Sequence, residues 1–150
     1  MREINIIPMA GEGIRFKKFT NIPKPMIKID NDEMILHATK SLSKADLWIF
    51  ICQKNHSIKY KLKELLNTKF KKKYILIELN KLSQGQASTC YEASKYLNPD
   101  DKINIGSCDS TIFYNQIEAK KILTKSDILI YTFKNQKFSN NNPYAYGWVK

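Results

Sequence analysis

The sequence predicts an α/β fold in which a mostly parallel central sheet is covered by helices on both faces. Three observations predict it. Short apolar runs recur along the chain, stretches of helical period fall between them, and a glycine-containing loop follows the first run directly.

The runs Ile4–Met9, Asp46–Cys52, Lys73–Leu79, Lys102–Cys108 and Asp127–Phe133 read as strands. They are mostly apolar at successive positions rather than alternating, which fits strands covered on two sides. Between the second and third, Ile58, Leu62, Leu65 and Leu66 recur at helical spacing; between the third and fourth, Ala87, Cys90, Tyr91, Ser94 and Leu97 do the same. A weaker helix over 33–42 follows the turn-forming Asp30-Asn31-Asp32. After "NNNP", Tyr144–Lys150 reads as a further strand that ends without a partner, so the chain is expected to be truncated at its C-terminus.

A length of 150 residues fits a single domain spanning 1–150, with no internal repeat or low-complexity linker. The net charge of +11 raises the prospect of a polyanionic partner, but the lysines are scattered. Only Lys69, Lys71, Lys72 and Lys73 form a tight run, placed where a helix hands over to a strand, so nucleic acid is not the expected partner. Cys52, Cys90 and Cys108 include no close pair and fit neither a disulfide framework nor a zinc site. With no leader pattern and no long apolar span, a cytoplasmic protein without membrane association is expected, and homo-oligomerisation is left open.

The loop "MAGEGIRF" (9–16) has three readings: a dinucleotide fingerprint, another phosphate cradle, or a plain turn. The fingerprint needs a third glycine where Phe16 stands and an acid after the second strand, where "ICQKN" has none. No Gly-Lys-Ser/Thr follows, which excludes a Walker loop. Downstream, Pro23 and Pro25 flank Lys24, biasing Ile22 and Lys24 toward extended geometry and holding this lysine in place.

Gly11-x-Gly13-x-Arg15 followed by Pro23-Lys24-Pro25 resembles the signature of the nucleotidyltransferases that make nucleotide-activated sugars and related phosphate compounds in bacterial capsule and surface-polysaccharide loci. The likeness is strong over 6–29, moderate over 83–110 and weak after 127. It implies a Rossmann-like three-layer sandwich of the nucleotide-diphospho-sugar transferase, or glycosyltransferase-A, type. It also implies a reaction joining a nucleoside triphosphate to a phosphorylated small-molecule acceptor with release of pyrophosphate, CTP being the favoured nucleotide.

The resemblance assigns Arg15 and Lys24 as catalytic residues, Arg15 on the β and γ phosphates and Lys24 on the α-phosphate and the incoming phosphate. Arginine's planar fork matches phosphate oxygens, while lysine brings a compact charge. Met9, Ala10, Gly11, Glu12 and Gly13 are assigned to the nucleotide, with Gln84 and Gly85 reading the base. A helix cap using Ser83 or Ser88 is the structural alternative for that second loop. Asp109, in "GSCDS", is assigned to Mg²⁺, an ion commonly held by one or two carboxylates plus phosphates; an N-cap is the alternative. Gly147 is assigned to the acceptor, whose remaining pocket and second metal aspartate belong to sequence beyond position 150. His56 reads as a loop residue, and His37 as a helix residue with no role.

Two other classes compete. A glycosyltransferase of related fold uses an acid-x-acid metal motif, whereas Asp109-Ser110-Thr111 supplies one acid. A basic nucleic-acid-binding module needs a cationic stripe interleaved with aromatics, which this pattern lacks.

Overall fold

The structure is a computed structural model that describes residues 1–134 and 136–145, with the side chains of Arg15, Phe138 and Ala145 outside that description. The chain divides into two units, Met1–Phe113 and Tyr114–Lys150.

In the first unit, β1 (Glu3–Pro8) is followed by a short hairpin of β2 (Lys28–Ile29) and β3 (Asp32–Glu33), then α1 (Met34–Lys40) and β4 (Leu47–Gln53). Helices α2 (Lys54–Lys59) and α3 (Leu62–Phe70) lead to β5 (Tyr74–Leu79), and α4 (Gln86–Tyr91) precedes β6 (Lys102–Ile105). The predicted turn closes the hairpin, with Asp30 at φ 55°, a conformation that Asp tolerates better than most residues.

The sheet order is β5-β4-β1-β6, and every pairing in it is parallel. Strands β1 and β4 are buried on both faces, as their unbroken apolar runs require. Alternate side chains feed two cores. Ile7, Trp48, Phe50 and Cys52 pack with Met26, Ile35, Leu36, Leu62 and Leu66 on the face covered by α1 and α3. Ile4, Ile6, Ile49, Ile51 and Ile77 meet Ala93, with Cys90 and Leu97 packed against them, on the other. Helix, sheet and helix therefore stack as three layers. Strand β6 departs from the expectation of two covered faces: Ile103 and Ile105 are exposed at the edge of the sheet.

Three further expectations are corrected. The helix predicted through Ile58 breaks at Lys61, whose φ is 49°; Leu62 and Leu66 are buried, but Ile58 is exposed. The stripe on α4 is rotated: Thr89 and Ala93, one turn apart, face inward and Tyr91 outward, while Cys90 and Leu97 keep the core contacts expected of them. The run Asp127–Phe133 is not a strand, and Ile128 and Ile130 are exposed. An apolar run becomes a strand only where a neighbour takes its backbone groups, and the second unit has no strand among its described residues.

That unit contains α5 (Gln116–Leu123) and α6 (Lys137–Asn141). Asn115 caps α5, its side-chain oxygen accepting from Ile117 N at 3.0 Å and Glu118 N at 3.2 Å. The predicted strand Tyr144–Lys150 begins in a 3-10 turn, Pro143–Ala145, and its remainder, including Gly147, lies outside the described residues.

Candidate phosphate site at the switch point of the sheet

The chain runs from β1 outward through β4 to β5, then returns to place β6 on the other side of β1. Strand order thus reverses between β1 and β6. In open parallel sheets the crevice at the carboxyl ends of such strands is where ligands bind. The glycine loop leaves β1 at this edge, and "GSCDS" leaves β6.

The loop is anchored at its root and turned at its tip. Met9 N donates to Ile51 O at 2.8 Å, and Gln53 Nε2 donates to Ala10 O at 2.7 Å, so β4 holds the start of the loop. Gly13 adopts φ 60°, ψ 34°, the left-handed region, and its carbonyl accepts from Phe16 N at 2.7 Å to close a 3-10 turn over Ile14–Phe16. Arg15 lies in that turn, but its guanidinium is outside the described residues.

Lys24 opens a second 3-10 turn, Lys24–Met26, rather than lying extended. Pro25 sits second in that turn, where a missing N–H costs nothing. Burial of Pro25 and Met26, with Met26 N donating to Pro23 O at 2.8 Å, outweighs the extended bias of a residue preceding proline. The turn fixes where Lys24 starts, and two contacts fix where it ends. Its ammonium lies 4.5 Å from the centre of the Phe16 ring and donates to Asp109 Oδ2 at 3.0 Å. The residue that excluded a dinucleotide fingerprint is thus the platform under the lysine.

Asp109 is held from the other side by Ser107, whose hydroxyl donates to Oδ1 at 2.5 Å. Burial pushes the Asp109 carboxyl up, but hydrogen bonds from Ser107 and Lys24 and the lysine's charge outweigh it and leave the group below its ordinary value. Asp109 is therefore an ionised acceptor at neutral pH. It caps no helix, since α5 starts from Asn115. Among the described residues no group of three His, Cys, Asp or Glu side chains is placed to hold a metal. A single ionised carboxylate still fits Mg²⁺ when phosphates and water complete the shell. Cys108 takes no part: burial, then the charge of Asp109, push its thiol up to about 12.

The second loop places Gly85 at φ 155°, ψ −178°, a region open essentially to glycine alone. Neither Ser83 nor Ser88 caps a backbone N–H. The Ser88 hydroxyl donates to Gly85 O at 2.9 Å, as does that of Thr89, and the Ser83 hydroxyl pairs with that of Thr89. Gln84 and Gly85 are exposed where the chain leaves β5, and α4 then packs against β1.

A cleft of about 80 Å³ lies beside the first loop, lined by Glu12, Gly13, Lys17, Pro23, Lys24 and His56 among others. Lys17 pairs with Glu12 at 2.9 Å across exposed surface. His56 is in α2, not in a loop, and its part in this cleft was missed from sequence; the signal was its position just past the carboxyl end of β4. Burial pushes its pKa down, partly opposed by Glu12.

The solved structure of the inositol-1-phosphate CTP transferase from T. maritima is similar to this chain with a TM-score of 0.62 at 22% sequence identity, over 74% of this chain and 44% of that one. The two share a fold. The Rossmann-like α/β architecture expected from sequence is the one observed, and the chain spans less than half the length of that structure's chain. No protein-family model and no curated protein matches the chain. No helix among the described residues is long and apolar enough to cross a membrane.

Proposed function

We propose that this chain is the nucleotide-binding core of a nucleotidyltransferase that joins a nucleoside triphosphate to a phosphorylated small-molecule acceptor and releases pyrophosphate. One observation carries the reading: Lys24 and Asp109, 85 residues apart in sequence, meet at 3.0 Å beside the glycine loop at the switch point of the sheet. The fold shared with a CTP transferase supports it and favours CTP.

The chemistry brings two phosphates together, and unit charges about 4 Å apart repel by roughly 4 kcal/mol at an effective dielectric near 20. Positioned cations supply most of the catalysis in such transfers. Lys24, aimed by its 3-10 turn and the Phe16 ring, offsets the charge of the α-phosphate and the incoming phosphate. Arg15 grips the terminal phosphates, and backbone N–H groups over Gly11–Gly13 cradle the chain of phosphates. Gln84 offers both donor and acceptor to a base edge, and Gly85 beside it carries no side chain to keep a base away. Asp109 would hold Mg²⁺ with phosphate and water completing its shell, and the ion would supply further charge neutralisation. Gly147 is assigned to the acceptor, and a role in capsule or surface-polysaccharide precursor synthesis rests on the acceptor's identity.

A thermal-shift panel of the four common nucleoside triphosphates with Mg²⁺ tests the reading, CTP being expected to stabilise most. Absence of a shift with all four overturns it. Release of pyrophosphate in the presence of a phosphorylated acceptor, without sugar transfer from a nucleotide-sugar, separates it from a glycosyltransferase.

A further inference from the structure

The two charges that the proposed site offers to its ligands face each other and neutralise each other. Lys24 Nζ and Asp109 Oδ2 form an ion pair at 3.0 Å, with side chains only 23% and 28% exposed, so screening by solvent is partial. Each group also has a second contact that survives separation: Ser107 donates to Asp109 Oδ1, and the Phe16 ring lies under the Lys24 ammonium. The pair is therefore able to open without either side chain losing its place.

We propose, on the reading of the site above, that the Lys24–Asp109 ion pair is a latch that couples divalent-cation binding to triphosphate binding. A cation on Asp109 repels Lys24 and frees its ammonium for phosphate. A phosphate drawn to Lys24 competes with Asp109 and exposes the carboxylate to the cation. Each ligand binding alone must break the pair, whereas the second finds it already open. The resulting cooperativity is reciprocal by linkage and exceeds the direct attraction of cation for phosphate.

The test is a double-mutant cycle on the whole chain, using inorganic pyrophosphate as the probe with metal removed by EDTA and affinities read by calorimetry. Asp109→Asn keeps the shape of the side chain and a hydrogen-bond acceptor for Ser107 but releases Lys24. It is expected to bind metal-free pyrophosphate about tenfold more tightly than wild type, in the usual range for coupled sites. In a Lys24→Gln background the same change is expected to alter affinity by less than about threefold, because there is no latch to open. In a second arm, binding of Mn²⁺ alone, followed by its electron paramagnetic resonance signal, is expected to tighten in Lys24→Gln. An equal gain from Asp109→Asn in both backgrounds means simple removal of a negative charge and overturns the latch, as does no gain in the wild-type background. Both of those results leave the phosphate site standing. Failure of every variant to bind pyrophosphate, with or without Mg²⁺, overturns the site itself.

Discussion

Gly13 is the position where backbone geometry and the proposed phosphate cradle make the sharpest joint demand. At φ 60° and ψ 34° an L-residue bears a cost of about 1–2 kcal/mol. Replacing glycine with alanine regains about 0.4–1 kcal/mol by restricting the unfolded chain. No clash adds to this, since a Cβ would meet only Lys24 Cγ, at 3.7 Å. Gly13→Ala is therefore expected to lose about 0.8 kcal/mol, roughly 2–3 °C in Tm for a chain of this size. Asn tolerates the left-handed region and should lose less, while the β-branched Val should lose most. Circular-dichroism melts of the three variants check the order Asn, Ala, Val. If alanine stabilises the protein, or if valine matches asparagine, Gly13 is not held left-handed and the turn that presents Arg15 is wrongly understood.

Other consequences follow from the fold and its titratable groups. Leu66→Ala removes a fully buried side chain and should cost about 2–5 kcal/mol by urea unfolding, whereas Ile58→Ala, on the exposed side of the helix break, should change stability by less than about 0.5 kcal/mol. Asp101 is drawn down to about 2 by hydrogen bonds from Arg2, at 2.6 and 3.0 Å, and from Asn98 N. Its stabilisation is fully present above its unfolded value of 3.8 and is lost as pH falls toward 2; Asp101→Asn should flatten the acid limb of a stability–pH profile. His56 follows the same linkage sign in a higher pH window: its folded pKa lies below 6.5, so protons again favour the unfolded chain. Stability should fall as pH drops below about 6.5, and His56→Gln should remove that slope.

What the sequence made legible divides along physical lines. Strands β1 and β4 could be read because residues buried on both faces must be apolar at nearly every position, as Ile4–Ile7 and Trp48–Cys52 are. Asp127–Phe133 carries the same signal without the same outcome, because composition says nothing of whether a partner strand is present. Ile58 fitted the helical stripe, yet Lys61 breaks the helix, and no glycine or proline marks that break. In the site, the restraint on Lys24 by its prolines was legible, although the turn it opens was not. Asp109 stood out as an acid following an apolar run, but its contact with Lys24 depends on β6 crossing back beside β1, a matter of topology. Phe16 was legible only as a missing glycine, and His56 only as an isolated histidine; their neighbours come from turns distant in sequence.

If the loop after β1, Lys24 and Asp109 form one cation-dependent triphosphate site, nucleotide binding depends on Mg²⁺ and on both side chains. Calorimetric titration with CTP in the presence and absence of Mg²⁺, on wild type, Lys24→Gln and Asp109→Asn, tests it most directly. Wild type is expected to bind in a Mg²⁺-dependent manner, and binding with Mg²⁺ to weaken at least about tenfold in each variant, in line with the loss of a charged hydrogen-bonding partner of a phosphate or its metal. Binding unchanged in both variants, or no binding of any nucleoside triphosphate to the wild-type chain, would contradict it.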